Sequence, residues 1–190
     1  MKSKNRKVIF LVLLTFAAGI ILGAETIKFA YRNSCPQNLC LDSASVIPIT
    51  ERDYFSIMHR ELTRAEKSIH IAIFELKHYP EYPESKENLL VQDLVDAHNR
   101  GVEVKIVIDE FAENYSSYDY LKGIGIEIKH DSEEVTTHSK LVIIDGKTVI
   151  LGSTNWSYYG LEKNHEANVL IRSKEIADYF EKYFDELWIK

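Results

Sequence analysis

Cysteine is scarce in this chain: among 190 residues it occurs at Cys35 and Cys40 alone, with four residues between them. Two thiols without a nearby histidine fall short of the four ligands of a structural zinc site. They can close a small disulfide loop in an oxidising compartment, or remain free thiols in a linker. Basic charge is short as well, with 23 Lys and Arg against 29 Asp and Glu and a formal net charge of −6. Lys2, Lys4, Arg6 and Lys7 crowd the first seven positions, so the rest of the chain has 19 basic residues (23 less these 4) against the same 29 acidic ones. An acidic remainder weighs against a protein that coats duplex nucleic acid, where phosphate contacts dominate affinity. It leaves room for an enzyme with a small basic cleft. Internal repeats and low-complexity tracts are missing too, while 45% hydrophobic residues exclude wholesale disorder. The length suits one domain better than two.

What is present begins with a leader. "MKSKNRK" is a positive flank, and "VIFLVLLTFAAGIILGA" follows as 17 residues without a charge. As a helix this run spans about 25 Å, the short edge of a membrane span. The basic flank predicts a cytoplasmic N-terminus and a domain on the far side of the membrane. Leu22-Gly23-Ala24 matches a small-x-small cleavage site poorly, because Leu22 is large, so an uncleaved anchor is favoured over a removed signal peptide. The cleaved case would give a secreted or periplasmic protein, and a buried helix of the domain is the third reading. Residues 1–24 are thus an anchor or signal, 25–45 a linker broken by Pro36 that holds the two cysteines, and 46–190 the folded domain.

From residue 46 the pattern alternates strand and helix. "SVIPIT" reads as a strand, with Thr50 placed to cap a helix whose apolar face is Tyr54, Ile57, Met58, Leu62 and Ala65. "SIHIAIFEL" reads as a buried strand, and Ser85 caps a helix through "NLLVQDLVDAHNR" that Gly101 ends. "VEVKIVID" completes a strand–helix–strand unit, which predicts a right-handed parallel crossover. A short helix at "SSYDYLKG" and the strand "GIEIKH" repeat it. A hairpin, a strand at "HEANVLIRS" and a closing helix follow, the helix with Ile176, Tyr179, Phe180, Tyr183, Phe184 and Leu187 on its apolar face. The expected class is α/β, a mixed β-sheet flanked by helices.

The hairpin "HSKLVIIDGKTVILGSTN" carries the chemistry. His138 and Lys140 are two apart, so on a strand they share a face while Ser139 points away. Leu141 to Ile144 bury the strand, and Asp145-Gly146 is a strong two-residue turn signal. The return strand brings Gly152, Ser153 and Asn155 back beside the start. A histidine, an ammonium and a carboxamide converge at one sheet edge, a set suited to an anionic tetrahedral group such as a phosphodiester. Gly152 would let the backbone approach the anion, and Ser153 adds a hydroxyl.

His138-x-Lys140, four residues, Asp145, six residues, then Gly152-Ser153-x-Asn155 resembles the HKD motif of the phospholipase D superfamily. The order of elements over about 46–189 is also similar to that family, with "AHNRGVEVKIVID" before the motif and "NHEANVLI" after it. One motif per chain resembles the small members, bacterial endonucleases and the mitochondrial cardiolipin hydrolase group. The resemblance implies that His138 attacks phosphorus to form a phosphohistidine, and that Lys140, Asn155 and Ser153 hold the non-bridging oxygens. It implies a homodimer with a shared active site, because a second histidine must protonate the leaving oxygen. Glu166 would orient or tune the histidine, and Asp145 would serve structurally in the turn. No cofactor or metal is implied, since ammonium and amide donors stabilise the charge.

Blander readings stand beside these. Asn155 could cap a helix starting at "WSYYG", Glu166 could be a surface strand residue, and Glu75 a rim residue. His130, Asp131 and His165 fit no standard metal spacing. Trp156, Tyr158 and Tyr159 could stack bases, shape a lipid cleft or simply pack. The expected activity is a phosphodiesterase, an endonuclease on DNA or RNA first and a phospholipase D on phospholipid head groups second, with a phosphate-docking module that does no chemistry as the third reading.

Overall fold

Seven strands with their side chains alternating between two apolar layers organise the computed structural model. It describes residues 45–109, 111 and 114–189, together with Gly19. Residues 43–190 form one compact unit. Apart from Gly19 and Ser45, the expected anchor and linker lie outside the described residues, as do both cysteines, and among those described no helix is long and apolar enough to cross a membrane.

The elements are β1 (Ser45–Thr50), α1 (Asp53–Thr63), β2 (Ser68–Ile73), α2 (Lys86–Asn99), β3 (Glu103–Ile108), α3 (Tyr118–Ile124), β4 (Glu127–His130), β5 (Lys140–Ile144), β6 (Thr148–Gly152), β7 (Ala167–Arg172) and α4 (Lys174–Ile189), with a π-helical turn at Tyr159–Lys163. The sheet order is β1-β7-β6-β5-β2-β3-β4. β2, β3 and β4 are mutually parallel, as the two crossover units predict. The other pairs, β2 with β5, β5 with β6, β6 with β7 and β7 with β1, are antiparallel. The expected mixed sheet is present.

Period-two alternation splits the core. Ile69, Ile71, Ile73, Val142 and Ile144 face α1, α2 and α3, with Met58, Leu62, Leu90, Leu94 and Leu121 packed on them. Ala72, Val107, Leu141, Ile143 and Val149 face α4 through Ile176, Ala177 and Phe184. One helix covers that second face, so its layer is thinner. Tyr179 and Tyr183, expected on the buried stripe of α4, stay 45% and 38% exposed. They rim a cleft described below.

Two caps behave differently. Ser85 caps α2, its side chain accepting from the Asn88 backbone N–H, and Gly101 follows with φ of +86°. Thr50 does not cap α1, because it is still paired in β1 with Ala167. The position before α1 is Arg52, which makes no side-chain cap. Between them Glu51 turns the chain with φ of +53° and its N–H donates to the Glu166 carbonyl at 3.1 Å. Sheet pairing has displaced a local propensity.

Candidate active site

β5 starts at Lys140, so His138 precedes the strand and does not lie on it. The ladder nevertheless reaches back: the Phe74 N–H donates to the Ser139 carbonyl at 3.1 Å. This brings the Phe74 ring against both motif side chains. The His138 ring is tilted against it at 4.9 Å between centroids, and Lys140 Nζ lies 5.2 Å from its centroid. Lys140 Nζ also donates to the His138 carbonyl at 2.9 Å. His138 is exposed, whereas Lys140 is 8% exposed. Burial pulls the Lys140 ammonium below its usual pKa, and the charges of Glu75, Glu166 and Asp109 oppose that pull. An ammonium held on the His138 carbonyl but poor in water is well prepared to take an anion.

The loop before His138 is fixed by a residue that sequence reasoning missed. Asp109 follows β3, is 1% exposed, and its carboxylate accepts from the Phe111 and Thr137 backbone N–H groups at 2.9 Å each. Asp131 accepts from the same Thr137 N–H at 2.7 Å. Two carboxylates thus clamp the residue next to His138. His130 stacks on Tyr118, and His165 faces Glu51 across 3.1 Å. With Asp131 on Thr137, the trio His130, Asp131 and His165 is engaged at separate places. Among the described residues no cluster of His, Cys, Asp and Glu could hold a metal ion.

The second half of the motif is held against the end of β2. The Trp156 N–H donates to the Glu75 carbonyl at 3.0 Å, and the Lys77 N–H to the Trp156 carbonyl at 2.8 Å. Trp156 is fully buried and its indole N–H donates to Tyr54 Oη at 3.0 Å, so packing decides its role. Burial also raises the Tyr54 phenol pKa. Ahead of it, the Asn168 side chain accepts from the Thr154 N–H at 3.2 Å and donates to Thr154 Oγ1 at 2.8 Å. Asn155 sits between these two anchors. Its Oδ1 is buried with no hydrogen-bond partner, and it caps no helix; the Ser157 hydroxyl accepts from Gly160 instead.

Gly152 proves to need its missing side chain for another reason than an approaching anion. A Cβ there would come within 2.5 Å of the Ala167 carbonyl and 2.6 Å of Asn168 Cα, its partners across the β6–β7 ladder. Gly160, not singled out from the sequence, has the same relation to Asn155: an added Cβ would lie on the Asn155 carbonyl and 3.1 Å from its N. Gly160→Ala should therefore displace Asn155. Its turnover should fall by about 10-fold or more, since catalysis loses steeply with sub-ångström misplacement, with roughly 1–3 kcal/mol of overpacking cost in the melt. Parental turnover together with a parental melting curve would sink this assignment.

Glu166 is 8% exposed and accepts from the Ser153 hydroxyl and, at 3.1 Å, from Asn164 Nδ2. Its direct partners are thus the motif serine and an asparagine, not His138. Glu75 lies 3.6 Å from Lys77 Nζ. Asp145 points away from the cleft. It sits in the turn with φ of +56°, followed by Gly146 at +60°, and its Oδ1 accepts from the backbone N–H groups of Glu66, Lys67 and Ser68 at 3.0, 2.7 and 3.3 Å. A cleft of about 400 Å³ opens beside His138 and Lys140, with Gly152 on one wall and Tyr179 and Tyr183 on the other. The Tyr183 hydroxyl is 3.2 Å from Ser139 Oγ.

This geometry of histidine, buried lysine and returning Gly-Ser-x-Asn can be set beside known proteins. Residues 58–188 match the family model described as cardiolipin synthase, PLD-like domain. The chain belongs to the phospholipase D superfamily. Its single-motif architecture is that of a small member. Phospholipase D from Rickettsia typhi is 26% identical over 97% of this chain and 95% of its own length. Mitochondrial cardiolipin hydrolase from Xenopus tropicalis is 26% identical over 70% of this chain, which spans only 60% of that relative. The crystal structure of the phospholipase D family member Nuc from Salmonella typhimurium superimposes with a TM-score of 0.67 at 27% identity, over 77% of this chain and 95% of that one.

Proposed function

We propose that the protein is a metal-independent phosphodiester hydrolase that works through a phosphohistidine, with two copies sharing one active site. The observation that carries this reading is the gathering of His138 and Lys140 against the Phe74 ring, with the Asn155 segment tied to the adjoining Glu75. The neutral His138 ring attacks phosphorus and forms the P–N bond while the P–O bond to the leaving group breaks. The same histidine of a second copy, protonated, gives its proton to the departing oxygen. It then takes a proton from the water that splits the P–N bond, returning both rings to their starting states. Lys140, Asn155 and Ser153 hold the non-bridging oxygens, and Glu166 positions Ser153.

Nucleic acid is the substrate we infer first, on the likeness over nearly the whole length of Nuc and the single motif. Phospholipid is the second reading, favoured by the Rickettsia relative's match along 97% of the chain. The uncharged run at residues 8–24 would then anchor the domain, on the extracytoplasmic face, beside its substrate. Full-length protein in excess EDTA, with labelled single-stranded DNA, RNA, phosphatidylcholine and cardiolipin, decides between them. Nucleic-acid cleavage is the expected outcome, and release of head groups alone would move the assignment to the lipid class. Mixing active protein with an equal amount of inactive His138→Ala chain should lower specific activity per total protein to about a quarter of the parent's, against about half for independent sites, if subunits exchange and each site needs two histidines. A fall to half would overturn the shared site.

A further inference from the structure

A second cavity, of about 810 Å³ against about 400 Å³ for the cleft at His138, lies between the segment leading into α2 and the residues after Asn155. Tyr79, Tyr82, Tyr158 and Tyr159 line it, and Tyr82 and Tyr159 are each 67% exposed. Its buried polar group is Glu87, in the first turn of α2, 1% exposed and with neither carboxylate oxygen hydrogen-bonded. Burial raises the Glu87 carboxyl pKa, and its own amide and the Ser85 hydroxyl, close by but outside hydrogen-bond geometry, oppose the rise. The neighbouring Lys86 ammonium is engaged by Glu162 at 2.9 Å and lies over Phe55. A carboxyl buried in the wall of a tyrosine-lined cavity with no well-formed hydrogen bond to either oxygen is incomplete.

The chemistry that completes it is cationic and partly apolar. The Tyr158 ring already carries Lys163 Nζ at 5.2 Å from its centroid, which leaves Tyr79, Tyr82 and Tyr159 to attract a ligand cation, the carboxyl to supply the counter-charge, and alkyl groups to fill the walls. Glu81 and Glu84, exposed at the mouth, add negative charge that repels a phosphate chain. We propose that this cavity binds an organic ammonium group of about the size of choline or ethanolamine. Tyr158 stands three residues beyond Asn155, and the Tyr79 hydroxyl reaches the Tyr158 backbone, so the cavity adjoins the motif segment. Ammonium binding in this cavity stands apart from the hydrolase reading.

The test uses the full chain in dodecyl maltoside, titrated with choline chloride and followed by calorimetry, with sodium chloride as the control. Saturable binding with a dissociation constant on the order of millimolar is expected. Glu87→Gln should weaken it by about tenfold and Tyr159→Leu, at an exposed position, by roughly threefold. His138→Ala should bind choline like the parent, which separates this proposal from the catalytic one. Dihexanoylphosphatidylcholine binding more tightly than choline would assign the ammonium to a lipid head group, and spermidine binding more tightly than both would assign it to a free amine. Melting curves check the folding of Glu87→Gln, and Tyr159→Leu keeps the test decisive if that variant is unstable. Binding of guanosine monophosphate without choline binding, or choline affinity untouched in both variants, would overturn the proposal.

Discussion

Replacing His138 with alanine is expected to lower turnover of a simple phosphodiester such as bis-p-nitrophenyl phosphate by about 10⁴-fold or more, because a nucleophile has no substitute in the site. The same change should leave the melting temperature nearly untouched. His138 is exposed and its ring makes one described aromatic contact, with Phe74. Substitutions of that kind usually stay within about 0.5 kcal/mol. Initial rates and a melting curve on one preparation measure both. A rate within tenfold of the parent would sink the phosphohistidine, and protein quenched in denaturant at alkaline pH that carries label from a phosphorus-labelled substrate would support it directly. Lys140→Met should be nearly as damaging, through loss of the charge facing the phosphoryl oxygens.

The second large effect is on stability and lies at the other end of the hairpin. Asp145→Ala removes the acceptor of three backbone N–H groups in the segment from Glu66 to Ser68, with a side chain only 4% exposed. Leaving such donors bare should cost roughly 3 kcal/mol. For a chain of this size that is a fall of about 6–12 °C in melting temperature. The pH dependence has a definite sign. Burial alone would raise the Asp145 carboxyl, but the N–H groups of Lys67, Glu66 and Ser68, with Lys147, outweigh it and hold the pKa below 3.8. A folded pKa below the unfolded one gives stability that is fully present above about pH 4 and is lost as pH falls towards the folded value. The gap between parent and Asp145→Ala should accordingly close on acidification. Equal melting temperatures at pH 7 would refute the clamp.

Much of this was legible in the sequence because the signals are local. The motif spacing, the Asp145-Gly146 turn, the Ser85 cap and the strand–helix alternation each occupy a short window. What was not legible depends on distant partners. Asp109 matters through Thr137, 28 residues on, and a carboxylate that accepts backbone N–H groups leaves no pattern in sequence. Gly160 matters through contact with Asn155, and Asn168 through a clamp on Thr154. Phe74 looks like one more apolar strand residue until the continuation of the β2–β5 pairing sets it against His138 and Lys140. Thr50 failed as a cap, and Tyr179 and Tyr183 as core, because sheet pairing and a single covering helix overrode helix-local rules.

The first strand of the domain has a mechanical consequence. β1 follows directly on the N-terminal segment and is zipped to β7 through six paired residues, from Ser45 with Arg172 to Thr50 with Ala167. Tension entering the chain ahead of Ser45 runs along β1 and loads that ladder in shear, with its hydrogen bonds sharing the force. The far end of the ladder is Glu51, bonded to the Glu166 carbonyl, so the residue whose carboxylate seats Ser153 also closes the strand that such a force would load.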